Sequence, residues 1–348
     1  MGSGARALTL LRYALFGCAL SACGGEANGD ERPSPASGGS PGTSVCDGVR
    51  FDPAVEAAVR MDLQKPSGEL SLADLGEVRS VRAQGASSLA GLECFTHLEY
   101  LVANGGTFAD LSPLAGLQDL LVVSVIGSEV RSLAPLAGLP RLETVGFSHG
   151  FVSDLTPLAA IPNLKWVSIY GEVSDVSPLA NLPNLEILEL YGNPLSDVSA
   201  LGSLPALTRL KLDSTLVTSV DIDAPALEDF SAADTPLSDV STFGRFVALT
   251  KFVAPRSLIE DISQLGELPQ LRNVDLTRTR VHDLSPLLRT PVTYSDCAPL
   301  SATETPLDEP LASEVVPKLC AMGWAVWTGA KPGAGETCRP DCIHSFPP

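Results

Sequence analysis

Eight cysteines, four histidines and one recurring aspartate are the residues of this 348-residue chain whose types and spacing could do chemistry. Cys338, Cys342 and His344 could supply part of a zinc site with one more ligand, but their spacing is loose. Setting aside Cys18 and Cys23, six cysteines remain: Cys46, Cys94, Cys297, Cys320, Cys338 and Cys342. An even number in an exported chain reads as disulfides, and export favours oxidation over zinc. Asp110, Asp154, Asp175, Asp197, Asp239, Asp261 and Asp283 share one repeat position. Stacked on strands about 4.8 Å apart, they could form a calcium-binding ladder. Turn chemistry is the expectation instead, because Asp accepts backbone N–H bonds and no Gly-rich calcium loop accompanies the series. His97, His149, His282 and His344 are scattered. There is no Gly-x-Ser-x-Gly, His-Glu-x-x-His, phosphate loop or dinucleotide fingerprint. No enzyme, no cofactor and no metal are expected.

The first residues say where such chemistry would operate. Arg6 and Arg12 flank and precede an apolar run, Tyr13-Ala14-Leu15-Phe16-Gly17-Cys18-Ala19-Leu20. That run is short of the roughly 20 residues a bilayer needs, so it reads as an export signal. It ends in Leu20-Ser21-Ala22-Cys23, which resembles the lipobox of bacterial lipoproteins. The resemblance implies cleavage before Cys23 and a lipid on that cysteine. Residues 24–45 hold almost nothing that could pack and read as a flexible tether. Its r.m.s. span as a random coil is about 25 Å.

The precursor carries −18; removing residues 1–22 takes Arg6 and Arg12 and no acid, so −18 − 2 = −20. Such a polyanion is a poor partner for nucleic acid or an anionic lipid face. Membrane contact is therefore expected through the lipid anchor only, on the outer membrane or cell surface. Gly24 after the cysteine carries no acidic inner-membrane retention signal.

The elements that must position everything else come from a repeat. Anchors at Leu98, Leu120, Leu142, Leu164, Leu185, Leu207, Leu227, Leu249 and Leu271 are spaced 22, 22, 22, 21, 22, 20, 22 and 22. In Leu185-Glu186-Ile187-Leu188-Glu189-Leu190-Tyr191, period-two alternation predicts a short strand with one buried face. Ser112-Pro113, Thr156-Pro157, Ser177-Pro178 and Ser285-Pro286 then start a helical turn, with Pro at its first position. Leu-Pro or Ile-Pro closes the turn, so only a 3₁₀ segment fits. Nine strands at about 4.8 Å predict a stack roughly 40 Å long.

This motif resembles the leucine-rich repeat, in the 22-residue form of the internalin type of bacterial surface proteins. The resemblance covers roughly residues 51–290. It implies an α/β-type solenoid with short parallel strands on the concave face, 3₁₀ turns on the convex face and a helical N-terminal cap. Phe51-Asp52-Pro53 onward and Gly91-Leu92-Glu93-Cys94 look like that cap and its first turn. The family's corner asparagine survives clearly only as Asn193. Thr215, Thr235, Ser257 and Thr279 replace it later, and Gly106, Ser128 and Gly150 earlier. The N-terminal third is therefore expected to be less regular. The domains are 1–22 signal peptide, 23–45 lipidated cysteine and tether, 46–97 cap and first irregular repeat, 98–290 repeats, and 291–348 cysteine-containing C-terminal cap. Cys46 with Cys94 is the first disulfide expected. The C-terminal four allow three connectivities, of which Cys297–Cys320 with Cys338–Cys342 is preferred.

Positions three, five and seven of each unit should line the concave sheet. They offer Tyr100, Ile126, Trp166, Tyr170, Ile187 and Tyr191, flanked by Arg209 and Lys211. The charged flank continues through Asp213, Asp229, Lys251, Arg256, Arg272 and Arg278. Trp166, Tyr170 and Tyr191 are expected to form one exposed aromatic patch, the kind of surface that anchors a partner. The function expected is a tethered recognition module for a protein or glycan ligand; the alternative is a passive component of the cell envelope.

Overall fold

The structure, a computed structural model, describes residues 46, 49–180, 182–293 and 298–328, without side chains at 309–312. The expected signal peptide, Cys23 and the expected tether lie outside the described residues, as do Cys297, Cys338, Cys342 and His344. The chain divides into two units, Met1–Thr43 and Ser44–Pro348, and every described residue belongs to the second.

That unit is a single parallel sheet whose strands follow chain order. The strands are β1 (Ser80–Gln84), β2 (Tyr100–Asn104), β3 (Val122–Ile126), β4 (Thr144–Ser148), β5 (Trp166–Tyr170) and β6 (Ile187–Glu189). They continue as β7 (Arg209–Lys211), β8 (Asp229–Ser231), β9 (Lys251–Val253), β10 (Asn273–Asp275), β11 (Ala298–Ser301) and β12 (Trp324–Trp327). The repeat anchors predicted nine strands, and twelve are present among the described residues. The three that the anchors missed break the phase. β1 precedes the first regular unit. β11 and β12 each lie 26 residues beyond the previous strand, since Val274 pairs Leu300 and Leu300 pairs Val326.

Alternation sorts the side chains. Leu101 and Ala103, Val123 and Val125, Val145 and Phe147, and their successors are fully or nearly fully buried in one continuous core. On the convex side, 3₁₀ segments at Ser112–Leu114, Thr156–Ala160, Ser177–Leu179 and Ser285–Arg289 begin at the Ser-Pro and Thr-Pro marks. Their leucines, Leu114, Leu158, Leu179 and Leu287, reach the core. The unit starting at Leu207 departs from this. It has only 20 residues and reads Val217-Thr218-Ser219-Val220-Asp221-Ile222, alternating rather than turning. Its convex segment makes isolated parallel bridges instead, Ser203 with Asp223 and Ser219 with Asp239.

Corner chemistry is split. Asn193 Nδ2 donates to Ile169 O at 2.8 Å, and its Oδ1 accepts Val173 N–H at 2.9 Å, so it staples the preceding repeat. Thr215, Thr235, Ser257 and Thr279 bond within their own turn, each donating to the carbonyl three residues earlier, and Thr235 also accepts Leu237 N–H at 3.4 Å. The expected irregularity of the N-terminal third is not found. β2 to β5 pair over five residues each, against three for β6 to β10. Gly106 serves its corner through close approach: a Cβ there would meet the Ala86 carbonyl oxygen at 2.5 Å.

The N-terminal end is closed by α1 (Pro53–Asp62), which packs on β1 with Val55 and Val59 buried. Asp52 caps it, accepting Ala54 N–H at 2.8 Å, while its other oxygen accepts Ser87 N–H at 2.8 Å. Burial pushes the Asp52 carboxyl up, but these bonds outweigh it and hold the group below its ordinary value. A short α2 (Leu72–Glu77) with a Ser71–Asp74 capping box follows. Cys46 and Cys94 are joined, with Cα atoms 5.7 Å apart. At the other end α3 (Glu309–Met322) lies against β12. Trp324 is buried there, its indole N–H donating to Thr290 Oγ1 at 3.2 Å. Cys320 on α3 is disulfide-bonded, and its remaining candidate partners in the cap lie outside the described residues.

Candidate functional site: the concave floor

The face opposite the core is paved by three columns of side chains in strand register. The first runs from Tyr100 through Trp166 and Ile187 to Arg209, Asp229 and Lys251. The second runs through Ser124, Gly146 and Ser168 to Glu189, Lys211 and Ser231. Ile126, Ser148 and Tyr170 belong to the third, and Tyr191, two residues past Glu189, continues it. The strands thus bring Trp166, Ile187, Arg209 and Lys211 together. Tyr100 stands three strands from Trp166, about 14 Å at the spacing of a sheet. Arg256 and Arg278 leave the floor: both have left-handed backbone at the strand-exit corner. They pair there with Asp234 and Glu304.

The centre of the floor holds charges that are nearly buried. Glu189 and Lys211 are each 9% exposed. Trp166 Nε1 donates to Glu189 at 3.4 Å. Desolvation pushes the Glu189 carboxyl up, against bonds from Ser168 and Trp166 and the nearby Arg209 and Lys211. Desolvation likewise lowers Lys211, although its Nζ lies 2.6 Å from Asp229. Asp229 also faces Arg209 Nε at 3.4 Å and Lys251 Nζ at 3.8 Å. Arg209 Nε is buried without a hydrogen bond, so the 3.4 Å approach is an ion pair only. Asp213 accepts the Ser231 hydroxyl and the Ala233 N–H at 2.7 Å. Tyr191 is half-buried, and desolvation pushes its phenol up.

The aromatic residues do not make the expected single exposed patch. Trp166 is 6% exposed, covered on the floor yet outside the solenoid core. Its indole lies down toward Glu189 on the next strand rather than out to solvent. Tyr170, 40% exposed, is the ring that solvent reaches. It rests on the next repeat, where a Cβ on Gly192 would fall 1.9 Å from its ring. His149 meets it edge-on with centroids 5.1 Å apart. Glu189 and Ser168 were missed as site residues. Their signal was present, since both occupy position five, but a lone charge on an alternating strand reads as solvated.

The recurring aspartates settle into turns. Asp110, Asp154, Asp175, Asp197, Asp239, Asp261 and Asp283 each accept the N–H two residues ahead, at 2.7–2.9 Å. No group of three or more His, Cys, Asp or Glu fit to hold a metal occurs among the described residues. His97 pairs with Asp119, which Arg141 also holds, both at 2.8 Å.

Comparison with known proteins agrees with the geometry. Residues 162–203 match the family described as Leucine Rich repeats (2 copies). No curated protein matches the chain significantly. An internalin of Listeria monocytogenes superposes with a TM-score of 0.63 at 22% identity, covering 79% of this chain and 88% of that one. A leucine-rich-repeat protein of Leptospira interrogans gives 0.52 at 14% identity, covering 68% and 74%. The ectodomain of an Arabidopsis thaliana membrane receptor kinase, solved with Casparian strip integrity factor 2, gives 0.56 at 17%, covering 67% and 31%. At such identities the likeness is one of fold, and the fold is a leucine-rich-repeat solenoid.

Proposed function

We propose that the protein is an exported, lipid-anchored recognition module that holds a protein or glycan ligand on its concave face. The observation that carries this reading is the placement of Glu189 and Lys211, each 9% exposed, on the floor of the sheet. Taking charges out of water costs several kcal/mol per ion unless partners compensate fully. The solenoid does not require that cost, because the same column holds Ser124, Gly146 and Ser168 in the preceding strands. The plant receptor noted above was solved with its ligand, which supports the solenoid as a recognition scaffold. The anchor rests on Leu20-Ser21-Ala22-Cys23.

A double variant, Glu189→Gln with Lys211→Met, tests the site. It should still fold, since Glu189→Gln keeps an acceptor for Trp166 Nε1 and Asp229 keeps Arg209 and Lys251 beside it when Lys211 is replaced. It should lose partners that the wild-type chain cross-links in envelope extracts, while the convex variant Glu267→Gln keeps them. Equal capture by all three proteins would remove the floor from the account. For the anchor, Cys23→Ser should abolish labelling by a fatty-acid probe, and equal labelling would refute lipidation.

A further inference from the structure

We propose that the floor of β2 to β5 binds a neutral oligosaccharide. This rests on the concave-face reading above and names the ligand for half of that face. In a chain with 41 acidic and 23 basic residues, no floor position of these four strands is charged. It is lined instead by hydroxyls such as Ser124, Thr144 and Ser168, by the Asn104 amide and by the Tyr100 and Tyr170 rings, with aliphatic side chains and Trp166 between them. Tyr170 is 40% exposed and braced from behind by Gly192 and from the side by His149, so it is a rigid platform. Sugars present a C–H face that packs on a ring and hydroxyls that pair with neutral donors and acceptors. A typical protein epitope carries charges, which this floor would strand without partners.

A second observation points into the same place. The Ser124 hydroxyl is buried, at 1% exposure, and has no hydrogen-bond partner. Beside it Gly146 leaves a methyl-sized notch, where a Cβ would meet nothing nearer than Ser124 Oγ at 3.7 Å. The Asn104 side-chain oxygen is likewise without a partner. An unmet buried polar group costs about 1–3 kcal/mol, so the notch is suited to a hydroxyl that enters and pairs with Ser124.

Calorimetric titration of the full-length chain in detergent with cellohexaose, chitohexaose, maltohexaose and laminarihexaose, beside a heparin hexasaccharide, tests the assignment. At least one neutral sugar should bind and heparin should not. Tyr170→Ala and Gly146→Ala should each weaken that binding at least tenfold. Gly146→Ala fills the notch at ordinary contact distance and should melt like the wild type, and Glu267→Gln on the convex face should bind normally. Absence of binding by every neutral sugar, or binding indifferent to both floor variants, overturns the proposal. If that happens while the Glu189→Gln, Lys211→Met protein still loses a cross-linked partner, the concave reading stands and only the ligand is wrong. If neither result appears, both fall.

Discussion

The floors of β2 to β5 and of β6 to β10 share one backbone and one core but solve different problems. The first half spends its floor on small hydroxylic residues and rings, and pairs strands over five residues. The second spends it on Glu189, Arg209, Lys211, Asp213 and Asp229, and pairs strands over three. The strand-exit corner changes less sharply. In the first half left-handed backbone is occupied by Gly105, Gly127 and His149, after Gly85 at the end of β1; in the second by Gly192, Ser214, Asp234, Arg256 and Arg278. The buried inner leucines scarcely change across the boundary. The solenoid therefore fixes the inward pattern and leaves the outward columns free to carry recognition.

The largest test of this division lies at its boundary. Trp166 belongs to the neutral half but reaches Glu189 in the charged one. With only 6% of its surface exposed, Trp166→Ala should lower stability by about 3 kcal/mol, the low end for a buried indole because the void opens on the floor. Tyr170→Ala, at an exposed ring, should stay within about 0.5 kcal/mol. Denaturant midpoints for both decide it. Similar losses for the two would mean that Tyr170 is structural, and the neutral floor would have no free ring to offer.

Within the charged half, Asp229→Ala should cost about 2–3 kcal/mol. It leaves Lys211 without its 2.6 Å partner and takes from Arg209 and Lys251 the carboxylate they face at 3.4 and 3.8 Å. The figure is below that for a fully buried pair because Asp229 keeps 21% exposure. A loss under about 0.5 kcal/mol in thermal or urea melts would make the cluster an ordinary solvated surface.

Much of this was legible in the sequence, for a physical reason. A solenoid repeats one local solution, so the spacing of Leu98 through Leu271 exposes its phase directly. The aspartate turns were equally legible, because each bond spans two residues. β11 and β12 were not, since each follows a 26-residue step that leaves the 22-residue phase, the second with an α-helix in place of the 3₁₀ turn. Burial on the concave floor was also hidden. Whether Trp166 is covered depends on Glu189 one strand away, 23 residues on, and alternation says only which side a residue faces.

The pH response separates the floor from the convex turns. Glu189 is pushed up by desolvation, so its folded form favours the proton. Its contribution to stability is present below the ordinary glutamate value of 4.5 and is lost as pH rises through the higher folded value. Asp154, Asp197 and Asp239 move the opposite way, held down by bonds from Thr156, Ser199 and Ser241. Their contribution is present above the ordinary aspartate value and fades as pH falls through the lowered one. Glu189→Gln should therefore match wild type near pH 4 and exceed it toward pH 7, by on the order of 1 kcal/mol. A difference that does not change between the two pH values would mean Glu189 is better solvated than its position indicates.

The smallest expected effect concerns the corner itself. Ser214 sits at φ 58° with its N–H bonded to Ala233 O at 2.7 Å. A side chain in this left-handed region costs about 1–2 kcal/mol, which glycine avoids. Glycine returns roughly 0.5–1 kcal/mol of that through its greater freedom in the unfolded chain. Ser214→Gly should then stabilise by about 0.5 kcal/mol, a rise of about 1–2 °C in melting temperature for a domain of this size. The reverse exchange in the other half, Gly127→Ser, should lose a similar amount. Its Cβ would meet nothing nearer than 3.8 Å, so the loss would come from the backbone alone. Arg256→Gly should gain nothing, because relief at φ 58° is offset by losing the pair with Asp234. If Ser214→Gly and Arg256→Gly shift the melt equally, the ion pairs along this corner add nothing. The charged half would then differ from the neutral half on its floor alone.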